Sequence, residues 1–115
     1  MIGDADTSRY ADMFAAMGAE PRLQIMRSLL KAHPDGLVVG ELQADVGGAA
    51  STLSHHLEKL RHEELVTVER EGTFLRYRAN TETLRELLGF LYTECCSGTG
   101  VSPPAAIVRV VRRNR

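Results

Sequence analysis

Residues 47–61 constrain the fold more than any other stretch of the chain. The stretch opens with Gly47-Gly48, and three leucines then recur at the spacing of one face of an α-helix, with a histidine beside them. These residues are Leu53, Leu57, Leu60 and His56. Residues 39–46 predict another short helix that the glycines end. A helix, a glycine turn and a second helix form a helix-turn-helix motif, although two ordinary packed helices would show the same pattern.

The opposite side of the second predicted helix carries small polar side chains. Hydroxyl and imidazole groups of this kind can reach base edges in the major groove of DNA. The candidate base-contacting residues are Ser51, Thr52, Ser54 and His55.

A change from helical to alternating periodicity follows Glu63-Glu64. Residues 65–70 and 73–79 are rich in β-formers and flank Glu71-Gly72, which predicts a β-hairpin. One face of its second strand is apolar and the other carries Arg76 and Arg78. A hairpin directly after a helix-turn-helix is a wing, and its arginines would meet phosphates or a minor groove. The alternative is a hairpin face that is merely solvated.

The remaining segments complete a prediction of α+β class, mainly α, with about five helices and a β-hairpin wing. The first helix starts at one of the polar residues 4–7 and ends near Met17, and a short strand is expected at 37–39. The second helix opens at Glu20-Pro21, with a buried stripe of Leu23, Met26, Leu29 and Leu30 and with Arg22, Arg27 and Lys31 outward. A last helix runs from Asn80-Thr81 to about Cys95, and residues 97–115 are expected to be an extended or mobile tail.

Composition sets the class of protein. The length of 115 residues predicts one domain over residues 1–115, and 43% hydrophobic with 25% charged residues is globular. The sequence has no run long enough to span a bilayer and no secretory leader, so a cytoplasmic protein without membrane contact is expected. A net charge of −1 counts against nucleic-acid binding, but local basic patches suffice for it.

Four segments and the order of the elements resemble a known family. The segments are Glu20-Pro21-Arg22-Leu23, the run Ser-Thr-Leu-Ser-His-His-Leu at 51–57, Leu65-Val66, and residues 72–77. Over roughly residues 10–95 the chain is similar to the ArsR/SmtB family of bacterial metal- and metalloid-responsive repressors. The resemblance implies a homodimer that occupies double-stranded operator DNA and leaves it when an inducer binds. It implies no enzymatic activity and no required cofactor.

The same resemblance narrows the inducer site. Arsenic sensors of the archetypal kind carry cysteines where this chain has Val38 and Gly40, and zinc sensors use a histidine that residues 81–94 lack. The cysteine pair Cys95-Cys96 remains, and some members hold a metalloid there with a third thiol downstream. Thiolates select soft ions, so arsenic(III) or antimony(III) is the expected inducer. Ser102 stands near the position of the missing third ligand.

Several alternatives stay open for the cysteines and for the whole chain. The pair can be structural, or it can sense redox state through a disulfide. A small thiol oxidoreductase is disfavoured because there is no Cys-x-x-Cys and no histidine near the pair. A winged-helix module that binds only proteins is a further alternative.

Large apolar residues in the first and last helices predict that these helices form a dimer interface. They are Tyr10, Met13, Phe14, Leu84, Leu88, Leu91 and Tyr92.

Overall fold

The computed structural model of the chain describes the backbone of residues 4–96 and the side chains of residues 6–93. Within this part of the chain, five helices and three strands confirm the α+β, mainly helical prediction. The elements are α1 (Asp4–Met17), α2 (Glu20–Lys31), β1 (Leu37–Val38), α3 (Val39–Val46), α4 (Ala50–His62), β2 (Val66–Glu71), β3 (Phe74–Ala79) and α5 (Thr81–Cys96).

The chain has two compact units, one up to Asn80 and one from Thr81. The first contains α1–α4 and the sheet, and the second contains α5. The prediction of a single domain over residues 1–115 stays a prediction. The expected tail at 97–115, Ser102, and the side chains of Cys95 and Cys96 lie outside the described residues.

The buried face of α2 differs from the predicted stripe. Met26 and Leu29 are buried as expected, but Ile25 joins them, whereas Leu23 and Leu30 are 49% and 43% exposed. The inward face is therefore rotated by about one position, since residues at i, i+1 and i+4 share a helix face. This rotation brings Arg22, which is three residues before Ile25, toward the core, and Arg22 is half-buried. The prediction that Arg22 points outward is wrong.

The helix-turn-helix motif is formed by α3 and α4. Leu42 of α3 and the three predicted leucines of α4 are buried. Gly47 and Gly48 make the turn at φ 77° and 84°, a region that L side chains avoid, so glycine suits both positions. The backbone N–H of Gly47 donates to Gln43 O over 2.8 Å, and Gln43 Nε2 donates to Gly48 O over 3.1 Å. The turn is thus fixed from the last residues of α3.

The C-terminal end of α4 closes with a left-handed residue. Glu64 has φ 62°, its N–H donates to Arg61 O over 2.9 Å, and Leu65 N–H donates to Leu60 O over 3.0 Å. This pair of bonds is a Schellman motif, which usually has glycine where Glu64 stands.

The sheet is antiparallel in the order β1-β3-β2. The predicted hairpin is confirmed with a shift of one residue: Glu71 pairs with Phe74, so the turn is Gly72-Thr73 rather than Glu71-Gly72. Tyr77 and Ala79 are buried on the apolar face of β3, as the alternation predicted. Strand β1 pairs Val38 with Arg76 and so fastens the wing to the start of α3.

The helix α5 begins at Thr81 as predicted and ends at Cys96. Leu87 is buried, whereas Leu88 and Leu91 are 44% and 47% exposed. Cys95 and Cys96 are the last two residues of the helix. In the part of the chain that the structure describes, none of the helices is long and apolar enough to cross a bilayer.

Candidate nucleic-acid interface

The first two turns of α4 bring the four predicted base-contacting residues together. Ser51, Thr52, Ser54 and His55 are all exposed, while the leucines of the same helix are buried. The first turn of α4 has no acidic side chain, and the last turn has Lys59, Arg61 and His62. The N-terminal half of α4 therefore presents short polar groups to solvent, with cations toward the other end.

The C-terminal half of this face is partly neutralised. Arg61 Nε donates to Glu58 Oε2 over 3.0 Å, and this hydrogen bond lowers the pKa of Glu58 and raises the pKa of Arg61. Lys59 is exposed and, among the residues with described side chains, has no acidic partner within ion-pair distance. Lys59 is therefore a cation of α4 whose charge is not compensated by any acidic side chain that the structure describes.

The predicted wing arginines are half-buried and each is bound to a glutamate. Arg76 Nε donates to Glu71 Oε2 over 2.9 Å, and Arg78 Nη1 donates to Glu69 Oε1 over 2.8 Å. Arg78 Nε also donates to Pro34 O over 3.2 Å, and Arg76 Nη1 lies 3.4 Å from the carbonyls of Asp35 and Gly36. The two arginines therefore hold β3 to β2 and to the loop before β1.

The alternation of the sequence contained the signal for these pairs. Side chains two residues apart share a face of a strand, so the glutamates at 69 and 71 lie on one face of β2. The register places that face beside Arg76 and Arg78 of β3. The sequence prediction placed the arginines correctly on the polar face but did not consider their acidic neighbours.

Another cation and an exposed ring lie near the tip of the wing. Arg70 is exposed on the other face of β2 and has no ion pair among the described side chains. Phe74, which follows the turn, is 62% exposed. Sequence reasoning missed both residues because one lies on the mainly apolar face and the other resembles a core residue.

Arg22 connects three helices of the first unit. Its Nε donates to Ala16 O, its Nη2 lies 3.4 Å from Ala15 O, and its Nη1 lies 3.5 Å from His56 Nδ1. Because arginine can only donate, His56 accepts through Nδ1. Burial, and then the charge of Arg22, lower the pKa of His56 from 6.5, so the ring is neutral at pH 7.

The described side chains, residues 6–93, contain no group of three or more histidine, cysteine, aspartate or glutamate residues that could hold a metal ion. The cysteine pair that carries the metalloid prediction is outside this range.

The helix-turn-helix of α3 and α4, followed directly by the β-hairpin of β2 and β3, defines a winged helix-turn-helix protein. The profile of the family described as "Bacterial regulatory protein, arsR family" matches residues 20–68, which run from the start of α2 into β2. The nodulation protein NolR of Rhizobium meliloti is 35% identical over 86 residues, which cover 75% of this chain and 68% of NolR. The protein ArsR2 of Halobacterium salinarum is 36% identical over 89 residues, covering 75% and 73%.

Solved structures agree with these relatives. HlyU from Vibrio cholerae superposes with a TM-score of 0.66 at 28% identity, covering 83% of this chain and all of HlyU. The homodimeric winged helix-turn-helix DNA-binding domain Mb0332 from Mycobacterium bovis gives 0.65 at 26% identity, covering 82% and 87%. The chain belongs to the ArsR family of bacterial regulatory proteins, a family of transcriptional regulators.

Proposed function

We propose that the chain is a transcriptional repressor that binds operator DNA as a homodimer and leaves it when an inducer binds. The observation that carries the proposal is the exposed face of α4, where hydroxyl groups and an imidazole are held on a helix whose other face is buried. Such side chains donate to and accept from base edges in a major groove that an α-helix can enter.

The DNA contacts divide by chemistry. Ser51, Thr52, Ser54 and His55 contact bases, and Lys59 and Arg70 contact phosphates because their charges are uncompensated in the described residues. The prediction that Arg76 and Arg78 contact the backbone or the minor groove stays open, and their glutamate partners make them the weaker candidates.

Salt dependence of binding tests this division. The probe is a duplex that the unaltered protein selects from a random-sequence pool, and its dissociation constant is measured over a range of salt concentrations. We expect Arg70→Ala to weaken all sequences alike and to reduce the salt slope by about one unit. His55→Ala is expected to lose about 1–3 kcal/mol on the selected duplex and to relax preference at one position.

A matched variant is Arg78→Ala, which removes the same charge from the same hairpin. If Arg78→Ala flattens the slope and Arg70→Ala leaves it unchanged, Arg78 rather than Arg70 makes the phosphate contact of the wing. If the unaltered chain binds no selected duplex in a salt-dependent way, the repressor proposal fails and a protein-binding module remains.

The proposed homodimer is formed by α1 and α5. Phe14 of α1 and Leu88 and Leu91 of α5 are large apolar residues that are 40–47% exposed, whereas Met13 belongs to the core. A contiguous apolar patch is typical of an interface, and the proposal assigns these three side chains to one. The neighbour Mb0332 is described as homodimeric, which supports the proposal.

The proposed inducer is arsenic(III) or antimony(III), bound by Cys95 and Cys96. Support comes from two cysteines that are adjacent in the sequence at the end of α5 and from the ArsR2 relative, whose name refers to an arsenical resistance operon. Thiolates bind soft ions, and adjacent ligands need little loop closure. Ser102 gives at most a poor third ligand, so weak induction is expected and Ser102→Cys should strengthen it.

The experiment is a DNA-binding titration with each trivalent ion on three proteins: the unaltered chain, Cys95→Ser/Cys96→Ser and Ser102→Cys. Release is expected at the lowest ion concentration from Ser102→Cys and not from the double serine variant. Equal release from all three proteins would exclude the cysteine site.

A second candidate is release by oxidation of the two thiols. HlyU is known in a structure described as its reduced form, at 29% identity and a TM-score of 0.64, and the chain here has two cysteines without a third. Titration with a peroxide in place of the ion separates the candidates. Release by the peroxide that a thiol reductant reverses, with no response to the ions, would favour redox sensing.

A further inference from the structure

Arg22 lies at the point where three helices meet. It is the third residue of α2, and its side chain runs back to the last turn of α1. The carbonyls of a terminal helical turn have no partner within their own helix, and a guanidinium there satisfies them and opposes the helix dipole. Arg22, a residue of α2, therefore caps the C-terminal end of α1.

The same guanidinium reaches α4. Nη1 lies 3.5 Å from Nδ1 of His56, in the middle of the helix that carries the proposed base-contacting residues. His56 is half-buried and its ring is next to that of the exposed His55, with 6.1 Å between the ring centroids. A shift of His56 therefore moves the adjacent base-contacting residue with it.

The contact depends on a neutral His56 ring. A protonated ring carries a hydrogen on Nδ1, which removes the acceptor, and places a positive charge beside the guanidinium. The charged groups that face this contact come from all three helices. They are Glu20 and Arg22 on α2 and His55 and Lys59 on α4. The groove beside Arg22 is also lined by Asp12 of α1, by Glu58 and His62 of α4, and by Glu63, which follows α4.

We propose that Arg22 is a positioning residue that couples the C-terminal end of α1 to the DNA-contacting helix α4 through the neutral ring of His56. Neither Arg22 nor His56 contacts DNA in this scheme. Because α1 is part of the proposed dimer interface, the contact transmits the arrangement of the dimer to the helix that enters the groove. The inference rests on the proposed DNA binding of α4.

The first test compares Arg22→Gln and Arg22→Lys with the control Arg27→Gln. Arg27 is an exposed arginine of the same helix, and its substitution removes the same charge. The probe is the duplex selected by the unaltered protein. Arg22→Gln is expected to weaken binding roughly tenfold, a typical coupling, and to keep the salt slope, since no phosphate contact is lost. Arg22→Lys, which keeps the charge and one donor, should recover part of the affinity, and Arg27→Gln should change little.

The second test uses pH, which a merely structural role would not move in this way. With His55→Gln in every protein to remove the exposed histidine beside His56, DNA affinity is measured between about pH 5 and pH 8; His33 and His62, which are also exposed, titrate alike in all the variants compared. The affinity of the parent is expected to fall on acidification below the pKa of His56. In the His56→Gln variant, whose amide oxygen accepts at any pH, that fall should be smaller, and its affinity at pH 7.5 should lie between those of the parent and Arg22→Gln.

A readout without DNA completes the design. The pKa of His56, followed by NMR in the free protein, is expected to rise in Arg22→Gln and to stay unchanged in Arg27→Gln. If Arg22→Gln does not fold, the His56→Gln comparison decides. Unchanged affinity of the folded variants, or a salt slope reduced by about one unit in Arg22→Gln, would overturn the inference. If the unaltered protein binds no duplex, the proposed function fails, whereas the inference alone fails if binding is present and the variants match the parent.

Discussion

Gly36 stands where no other residue fits. Its φ is 72°, and a Cβ at this position would lie 2.3 Å from Tyr77 O and 2.6 Å from Arg78 Cγ. Gly47 has a similar φ of 77° but open space around it. We expect Gly36→Ala to lower the free energy of unfolding by about 2–5 kcal/mol, from backbone strain plus the clash. Gly47, with ψ −173°, lies in a region that is essentially restricted to glycine, and Gly47→Ala should cost about 1–3 kcal/mol from strain alone.

Urea unfolding at one protein concentration measures both changes. Equal losses from the two alanine variants would show that the close approach of Gly36 to β3 contributes nothing.

The titration of His56 also affects stability. Its pKa is lower in the folded chain than the usual 6.5, chiefly through burial, so the unfolded chain binds more protons as the pH falls. The contribution of His56 to the free energy of unfolding should therefore be complete above pH 6.5 and be lost as the pH falls through the pKa of His56 in the folded chain. His56→Gln should flatten this decline, and Arg27→Gln should not. A decline of the same size in His56→Gln would assign it to other groups.

The exposure of some side chains is set by the periodicity of their own helix, and that of others by contacts with distant parts of the chain. The exposure of Ser51 and His55 was predictable because a helix with an apolar stripe has only one solvent face. The inward direction of Arg22 was not, because its partners are carbonyls of another helix and a ring 34 positions later in the chain. No periodicity within α2 contains that information.

Glu64, two positions after the end of helix α4, has an unfavourable backbone conformation. Glu64 adopts the left-handed conformation at the position that glycine usually fills, and its carboxylate lies 4.0 Å from Arg9 in an exposed ion pair. Left-handed conformation costs a residue with a side chain about 1–2 kcal/mol, and an exposed pair returns about 0–1 kcal/mol. We expect Glu64→Gly to increase the free energy of unfolding by up to about 1 kcal/mol.

Glu64→Ala is the control, since it removes the carboxylate and keeps the strain. Thermal and urea unfolding of the two variants at equal concentration give the comparison. If glycine stabilises no more than alanine does, strain at this position is negligible.

The wing shows how far alternation predicts a β-hairpin. Its two strands and its apolar face followed from the sequence, but the turn lies one residue later because Glu71 pairs with Phe74. Turn position depends on cross-strand pairing, and the sequence of the turn, Glu-Gly-Thr, fits either choice. The diagonal glutamate–arginine pairs depend on the same register.

Removing the glutamates should release the arginines. In Glu69→Gln/Glu71→Gln, Arg76 and Arg78 lose their acidic partners, and we expect stronger binding to non-specific duplex with a salt slope steeper by up to about two units. Asp4→Asn/Asp6→Asn changes the net charge equally and serves as the control. Fluorescence anisotropy at several salt concentrations measures the slope. Identical slopes for both double variants would mean that the wing arginines do not reach DNA even when unpaired.

At the scale of the whole molecule, the apolar residues of α5 were predicted but their distribution was not. Leu87 is buried while Leu88 and Leu91 are exposed, so the stripe is shared between the fold and the solvent. A sequence pattern gives the width of an apolar face but not which part of it a second copy covers. The dimer therefore stays a prediction, and it has a direct test.

We expect Leu88→Glu/Leu91→Glu to convert the dimer into a monomer at micromolar concentration, because charges in an apolar interface lose their hydration without a partner. Leu23→Glu/Leu30→Glu, with similar exposure on α2, should leave the dimer intact. Sedimentation equilibrium distinguishes the two results. A dimer that survives in the α5 variant would place the interface elsewhere.

The paired charges of the wing also bear on how such a protein finds its site in a cell. A regulator held on random chromosomal sequence by many free cations spends most of its time there, and its search is by sliding. Here the polar face of the wing carries two glutamates and two arginines that pair with each other, and the whole chain has a net charge of −1. Residence on random sequence should be brief. If an inducer releases the protein as proposed, the released copies would be in solution rather than bound along the chromosome. The concentration of unbound protein then sets how quickly the operator is occupied again once the inducer is gone.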